Sequence, residues 1–197
     1  MELSGRTGEE QGMRNVILYI AMSLDGYLAD ANGGVAWLDG DGSDSLHPGS
    51  YEAFSETVDT VLMGYHTYRQ IVTELSPETW PYCGKTTYVW THRELPAAEG
   101  IVFTSQSPAE LIAALKTQPG QDIWVCGGAN VVQQLLALDL LDRLFVTVIP
   151  TLLGDGIRLF SQQERELPLK LIAVERYNGM AELRYQRRKP LEAGVGD

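Results

Sequence analysis

Two segments of the chain place glycine between an apolar run and a helix-like run. Residues 61–67 read VLMGYHT, and residues 123–130 read IWVCGGAN. Glycine allows the backbone to approach a ligand, and the free N–H groups at a helix start can bind phosphate oxygens. Neither segment matches a Walker A loop or a GxGxxG fingerprint. The residue types predict phosphate contacts at Gly64 and at Gly127-Gly128, although either junction alone is more simply explained as a tight turn.

A third segment, Thr91-His92-Arg93, combines a hydroxyl, an imidazole and a guanidinium just after another strand-like run. These groups suit a phosphomonoester such as the 2′-phosphate of NADP, because charge-assisted hydrogen bonds to phosphate are strong. A solvated loop is the alternative that the residues leave open.

Several other kinds of chemistry lack the residue spacing that they need. The acidic segment 39–44 has Asp44 and Ser50 where a calcium-binding loop requires glycine and glutamate. The three histidines lie in different segments, without the spacing of a zinc site. No GxSxG segment indicates a serine hydrolase. Calcium binding is therefore excluded, and neither a metal site nor Ser/His/Asp hydrolysis has support.

The elements that must position these residues are predicted by the apolar periodicity, which alternates strands with helices. Ser107-Pro108-Ala109-Glu110 has the residues of a helix capping box, with proline at the first helical position. This order is typical of βα units that build a parallel sheet with helices on both faces. The predicted strands span residues 16–21, 60–63, 86–91, 101–103, 122–126 and 143–149, and the predicted helices span residues 50–57, 66–75, 108–116 and 129–138.

The end of the chain follows a different pattern. Two strand-like runs, residues 170–176 and 180–187, flank Asn178-Gly179, the residue pair that best suits a type I′ hairpin turn. We therefore predict an α/β fold whose mixed, mostly parallel sheet ends in an antiparallel hairpin. Carboxyl ends of parallel strands meet at one edge of such a sheet, so the three segments together predict a dinucleotide cleft. The long loop at residues 23–44 is a further functional candidate.

The composition limits the class of protein. The 197 residues are 44% hydrophobic and carry a net charge of −11, which predicts one globular domain at residues 13–188 with tails at 1–12 and 189–197. The negative charge argues against nucleic acid as a partner. No apolar run approaches the roughly 18 residues of a membrane span, and residues 1–12 lack the order of a secretion signal. We expect a cytoplasmic protein with reduced cysteines.

Five motifs, taken in order, resemble those of the dihydrofolate reductase-like superfamily. The riboflavin-biosynthesis reductase (RibD C-terminal) family is the most similar branch, and the resemblance covers residues 15–187. It implies an NADPH-dependent reductase with a flexible loop after the first strand. The motifs are MSLDGYLA at residues 22–29, VLMGYHTY at 61–68, Gly127-Gly128, LLDRL at 140–144 and PTLLGDG at 150–156.

The resemblance also implies a role for individual residues in holding NADPH. Ala21 corresponds to the backbone contact with the nicotinamide amide. Dihydrofolate reductases carry a basic residue where Tyr65 stands, so that phosphate contact must come from elsewhere, with Arg69 and Arg93 as candidates. The cofactor's phosphates correspond to Gly64, His66 and Thr67, its 2′-phosphate to Thr91, His92 and Arg93, and its pyrophosphate to Gly127, Gly128, Ala129, Asn130 and Val131.

Four residues are implied on the substrate side. Asp25 matches the Ser-Leu-Asp-Gly motif, where it orients the carboxamide, helps to deliver a proton, or only caps a turn. Trp37 resembles the tryptophan of the mobile loop, and Thr147 resembles the threonine that faces substrate. Glu52 is near, but displaced from, the position of the carboxylate that binds pteridine in dihydrofolate reductases.

We therefore expect a stand-alone NADPH-dependent reductase that acts on a polar heterocyclic or sugar-imine substrate. The alternatives are an authentic 5-amino-6-(5-phosphoribosylamino)uracil reductase of riboflavin biosynthesis, a dihydrofolate or pteridine reductase, and a dinucleotide-binding module without catalysis. No fused deaminase is expected, because the HxE and PCxxC zinc signature is missing from the sequence. Residues 142–149 and the terminal hairpin, expected at the sheet's edge, predict a homodimer.

Overall fold

Ten strands and four short helices make up the part of the chain that this computed structural model describes, residues 13–162 and 165–188. The tails predicted at residues 1–12 and 189–197 lie outside the described residues. The strands are β1 (Val16–Ser23), β2 (Tyr27–Ala29), β3 (Val58–Gly64), β4 (Thr86–Trp90), β5 (Ile101–Thr104), β6 (Asp122–Gly127), β7 (Arg143–Ile149), β8 (Ile157–Arg158), β9 (Leu169–Tyr177) and β10 (Met180–Arg187).

The helices are short and begin directly after strands or turns. In α3 the Ser107 side chain accepts a hydrogen bond from the Glu110 N–H, and the Glu110 carboxylate accepts one from the Ser107 N–H, which confirms the capping box. No helix within the described ranges is long and apolar enough to span a membrane. The helices are α1 (Tyr51–Ser55), α2 (Tyr65–Gln70), α3 (Pro108–Lys116) and α4 (Ala129–Ala137), and α2 continues as one π-helical turn, Ile71–Leu75.

Eight of the strands form one sheet, in the order β5-β4-β3-β6-β1-β7-β10-β9. Strands β1 and β3 to β7 run parallel, and β10 and β9 complete the sheet as an antiparallel hairpin. Asn178 and Gly179 have φ values of 45° and 71°, the left-handed pair that a type I′ turn requires. The predicted α/β fold with its terminal hairpin is confirmed.

Helices cover both faces of the sheet, and each face has its own apolar core. Neighbouring residues of β1 pack in the cores on opposite faces of the sheet, because side chains alternate along a strand. Leu18 packs in the cluster that includes residues of α3 and α4. Ile17 packs on the other face with Phe54 of α1 and Ile71.

Two features differ from the sequence-based expectation. Strand β7 lies inside the sheet, because β10 pairs with it, and only β9 of the hairpin reaches that edge. The prediction of an edge at residues 142–149 was therefore wrong. Within the loop predicted at residues 23–44, Tyr27–Ala29 forms β2, which pairs with β8. Such a short pairing between distant loops leaves no periodic signal in the sequence.

Candidate active site

The parallel strands bring the predicted site residues to one edge of the sheet, where their carboxyl ends meet. Neighbouring strands are about 4.8 Å apart, so a row across five of them extends over roughly 20 Å. In the order of the strands, residues 91–93 follow β4, Gly64 ends β3, Gly127 ends β6, Ala21 lies near the end of β1, and Thr147 lies near the end of β7.

The two glycine junctions lie directly against each other in the middle of this row. A Cβ atom added to Gly128 would lie 3.1 Å from Thr67 Oγ1, and one added to Gly64 would lie 3.2 Å from Val131 Cγ2. Gly127 has a φ of 140°, which only glycine adopts readily. Bare backbone from both junctions therefore meets at the start of α4, where the first N–H groups lack partners within the helix.

Residues 91–93 line an open cavity of about 240 Å³ at the ends of β4 and β5. Thr91 is partly buried, and its hydroxyl oxygen accepts a hydrogen bond from the Arg93 N–H at 3.1 Å. Glu94 lines the same cavity, so a carboxylate is present beside the cationic and hydroxyl groups. Sequence reasoning missed this residue, because it considered only the end of the strand. The cavity is lined by Thr91, His92, Arg93, Glu94, Phe103, Thr104 and Ser105.

Tyr65 supports Arg93 at the boundary between this cavity and the glycine junctions. The Arg93 guanidinium carbon lies 4.8 Å from the centroid of the Tyr65 ring, a distance at which the ring attracts the cation. Arg69 lies on the exposed side of α2. Tyr65, which stands where dihydrofolate reductases carry a basic residue, therefore holds the Arg93 guanidinium in place. Of the two candidate arginines, Arg93 is better placed than Arg69 to contact a phosphate.

Asp25 joins the turn after β1 to the loop before β8. Its carboxylate accepts hydrogen bonds from Ser23 Oγ at 2.6 Å, from the Gly154 N–H at 2.7 Å and from the Leu153 N–H at 3.2 Å. The Ser23 hydroxyl and the two backbone bonds lower the pKa of Asp25 to about 2. A carboxylate that is ionised at neutral pH can orient a neighbouring group but has no proton to deliver.

The remaining substrate-side residues are only partly brought together. Ala21 and Thr147 are direct partners in the β1–β7 ladder, so the expected nicotinamide and substrate contacts are neighbours. Trp37 lies in the loop between β2 and α1, where its indole N–H donates to the Gly34 carbonyl at 3.2 Å. Glu52 is exposed on α1, two positions and therefore about 200° around the helix from the buried Phe54.

A buried carboxylate that sequence reasoning missed lies beside Thr147. Glu182 of β10 is the direct cross-strand partner of Thr147 and is 0% exposed. Its Oε2 atom accepts a short hydrogen bond from Ser50 Oγ and lies 3.3 Å from the Tyr177 hydroxyl and 3.5 Å from Thr147 Oγ1. Ser50 is also 2.9 Å from the Tyr19 hydroxyl. Four hydroxyls and one carboxylate thus form one polar cluster.

Aromatic rings form an aromatic core beneath this cluster's side of the sheet, since Phe54 and Trp124 are buried. Tyr19 stacks on Phe54 with a centroid distance of 4.2 Å, and Trp124 contacts both rings edge-on. The Tyr82 hydroxyl lies 3.3 Å from Cys126 Sγ, and burial raises the pKa of this thiol to about 11. Cys126 is therefore a protonated thiol at neutral pH. The described residues contain no cluster of potential metal ligands.

The low pKa of Asp25 predicts how the stabilising effect of its carboxylate depends on pH. The folded-state pKa is lowered from 3.8 to about 2, so this contribution is fully present above pH 4 and is lost as the pH falls towards 2. We expect the difference in unfolding free energy between the wild type and Asp25→Asn, measured by urea denaturation, to be constant near neutral pH. It should shrink between about pH 4 and pH 2. A difference that does not change with pH would contradict this role.

The chain is similar to proteins and structures from several bacteria. It is 36% identical over 178 residues to the protein YwjB of Bacillus subtilis (strain 168), covering 88% of this chain and 98% of YwjB. It is 27% identical to YyaP of the same strain over 183 residues, covering 87% and 94% of the two chains. A crystal structure of a Shewanella sp. PV-4 protein with a riboflavin biosynthesis assignment superimposes with a TM-score of 0.77 at 29% identity, covering 89% of this chain and 99% of that one.

A bifunctional enzyme shares the fold at lower identity. The diaminohydroxyphosphoribosylaminopyrimidine deaminase/5-amino-6-(5-phosphoribosylamino)uracil reductase of Thermotoga maritima gives a TM-score of 0.65 at 17% identity, covering 89% of this chain and 57% of the enzyme. The resemblance found in the sequence motifs is thereby confirmed at the level of the fold. Residues 14–181 match the sequence profile of the RibD C-terminal domain, a reductase domain. The chain therefore belongs to the RibD C-terminal domain family.

Proposed function

We propose that the protein is an NADPH-dependent reductase. The observation that carries this proposal is the order of groups along the carboxyl edge of the sheet. A cavity with a guanidinium and an imidazole comes first, paired glycine junctions at a helix start follow, and Ala21 and Thr147 come last. NADPH has its parts in the same order: the 2′-phosphate at one end, the pyrophosphate in the middle and the nicotinamide at the other end. The substrate would lie next to the nicotinamide.

The residues present include hydrogen-bond donors for each part of this cofactor, and among the described residues Glu94 is the one carboxylate that lines the cavity for the 2′-phosphate. Thr91, His92 and Arg93 would hold the 2′-phosphate, with Arg93 supported by the Tyr65 ring. The pyrophosphate would accept hydrogen bonds from the free N–H groups at the start of α4, in the space beside Thr67. This space is open because Gly128 has no side chain to fill it. Gly64 borders the same space, and His66 is exposed in the first turn of α2.

When bound, the reduced nicotinamide supplies a hydride, and the chain supplies position and electrostatics. The backbone at Ala21 would hold the carboxamide of the nicotinamide. Asp25 acts as a positioning residue: its ionised carboxylate fixes the loop at residues 150–156 against the end of β1. The aromatic core around Tyr19 and Trp124 keeps water out of the packing beneath this side of the sheet.

The proposed substrate class is supported by the groups beside Thr147. The cluster of hydroxyls and the half-buried Tyr177 ring suit a polar heterocycle or a sugar imine whose carbon accepts the hydride. Mixing the protein with NADPH and a panel of pterins and ribosylaminopyrimidines tests this class, with cofactor absorbance as the measurement. Consumption of NADPH with any acceptor is expected. A protein that binds NADPH tightly but consumes none would be a binding module without catalysis.

The cavity at residues 91–93 predicts a preference for NADPH over NADH. Replacing Arg93 with alanine should weaken NADPH binding by roughly 1.5–3 kcal/mol, the value of a charge-assisted hydrogen bond, and should hardly change NADH binding. Arg69→Ala is the matched control, because it removes an exposed guanidinium from the neighbouring helix. Titration calorimetry with both cofactors measures the effect. Equal affinity of the wild type for NADPH and NADH would contradict the assignment.

The short distance between Gly128 and Thr67 predicts the effect of a side chain at position 128. Valine at position 128 would place its Cβ atom 3.1 Å from Thr67 Oγ1 and would fill the space for the pyrophosphate. Gly128→Val should abolish binding of both cofactors and leave a folded protein, because the native φ of −85° suits a side chain. Melting temperature and affinity are measured on the same variant. A lower melting temperature with unchanged affinity would show that Gly128 serves only as a turn.

We also propose a homodimer, supported by an apolar surface on the outer part of the sheet. On that face α4 packs over β3 and β6, and a groove of about 260 Å³ lies further out, over β7, β10 and β9. Val174 and Leu171 of the edge strand are 56% and 49% exposed and pair with Leu183 and Tyr185 of the groove. The groove is lined by Met22, Leu144, Val146, Phe160, Leu169, Leu183 and Tyr185.

Light scattering tests the dimer at micromolar protein concentration. The wild type should have twice the monomer mass of 21.8 kDa, whereas Val174→Glu should give monomers, because a charge would be buried without a partner. Val102→Glu is the control, since Val102 is similarly exposed (42%) on the opposite edge strand. A wild type that scatters as a monomer would refute the proposal.

A further inference from the structure

Glu182 is a charged residue buried completely on the substrate side of the site. It continues the row of cross-strand partners from Ala21 through Thr147 to the next strand. Buried carboxylates are rare unless they are paired and hydrogen-bonded. Arg184 supplies the opposite charge, since its Nε donates to Glu182 Oε1 at 2.6 Å, and it also contacts Glu175 at 3.0 Å.

The second carboxylate oxygen determines where the hydroxyl protons point. Glu182 accepts from a guanidinium on one oxygen and from Ser50 on the other, the pattern of an ionised carboxylate that only accepts. Ser50 must therefore donate its proton to Glu182, and the Tyr19 hydroxyl in turn donates to Ser50. Tyr177, 3.3 Å from Oε2, also points its proton inward.

Thr147 completes this arrangement. Its hydroxyl oxygen lies 3.5 Å from both Glu182 Oε2 and the Tyr177 oxygen. Whichever of these two atoms accepts the Thr147 proton, the proton stays within the cluster. The hydroxyl protons of Thr147 and Tyr177 are thus directed into the cluster. Lone pairs on the half-buried Tyr177 oxygen and on Thr147, which is 7% exposed, face away from it towards a ligand. Burial raises the pKa of Tyr177, which keeps this hydroxyl protonated at neutral pH.

The Tyr177 ring and the residue that follows it both contact the loop after β2. His47 stacks on it with a centroid distance of 5.4 Å and an interplanar angle of 10°. Asn178, the next residue, donates to the Asp39 carbonyl at 2.7 Å and accepts from the Asp41 N–H at 3.2 Å. The loop after β2 therefore fixes the position of the Tyr177 hydroxyl.

We propose that Glu182 sets the hydrogen-bond polarity of the substrate site, so that the substrate binds Thr147 and Tyr177 through an amino or ring N–H group. This inference rests on the proposed function for the position of the substrate. A ligand that offers only acceptor atoms would place its lone pairs against those of the hydroxyls, and the site selects against it.

Glu182→Gln inverts this polarity without a change of shape. Arg184 can only donate, so the glutamine oxygen must face Arg184 and its NH₂ group must face the hydroxyls. The hydroxyl oxygens then accept from the amide, and their protons become available to a ligand. Glu175→Gln is the matched control, because Glu175 shares Arg184 but contacts none of the four hydroxyls.

Two neutral probes that differ in one substituent, 2-aminopyrimidine and 2-methoxypyrimidine, test the inference by ligand-observed NMR titration. The wild type and Glu175→Gln should bind the amino probe about tenfold more tightly, and Glu182→Gln should prefer the methoxy probe. Tyr177→Phe, which leaves the carboxylate in place, should weaken only the amino probe.

The outcomes separate this inference from the proposed function. NADPH affinity is measured on the same variants and should not change, because Glu182 lies two strands beyond the contact at Ala21. Failure of the wild type to bind NADPH would reject the proposed function, whereas the probe preference is measured without cofactor. An unchanged preference in Glu182→Gln, the same inversion in Glu175→Gln, or a wild type that does not bind the amino probe would overturn the role of Glu182.

Discussion

The parallel pairing of six strands is the constraint on which the site depends. Because parallel strands all end at the same edge, segments far apart in the chain meet there without any direct link between them. The β3–α2 junction and the β6–α4 junction approach so closely that a methyl group on Gly128 would meet Thr67 Oγ1 at 3.1 Å. Gly128, and Gly64, where an added Cβ atom would lie 3.2 Å from Val131 Cγ2, therefore keep bare backbone at the place where the two junctions meet.

The two halves of the sheet carry different kinds of chemical group. The groups that suit phosphates lie at the ends of β4, β3 and β6, whereas Thr147 of β7, Tyr177 of β9 and Glu182 of β10 belong to the polar cluster. Asp25 stands between the halves and ties the turn after β1 to the loop before β8. Its ionised carboxylate explains how two of the motifs that carried the family resemblance, far apart in sequence, form one structure.

The fold was largely predictable from the sequence, because its signals are local. The capping box at Ser107 and the Asn178-Gly179 turn each specify one conformation through neighbouring residues alone. Glu182 was not predictable in this way. It alternates with Ala181 and Leu183 along β10, a pattern typical of a solvent-facing residue, and only the packing of α1 places Ser50 over it. The interior position of β7 likewise depends on pairing that no local pattern encodes.

Amide chemical-shift changes on adding NADPH to the ¹⁵N-labelled protein test the central claim most directly, because they locate the cofactor along the edge of the sheet. We expect large changes at the ends of β4, β3, β6 and β1, and much smaller ones in β9. The affected residues should be 91–93, 64–67, 127–131 and 21. Changes confined to the apolar groove beside β9, or no changes at the two glycine junctions, would contradict it.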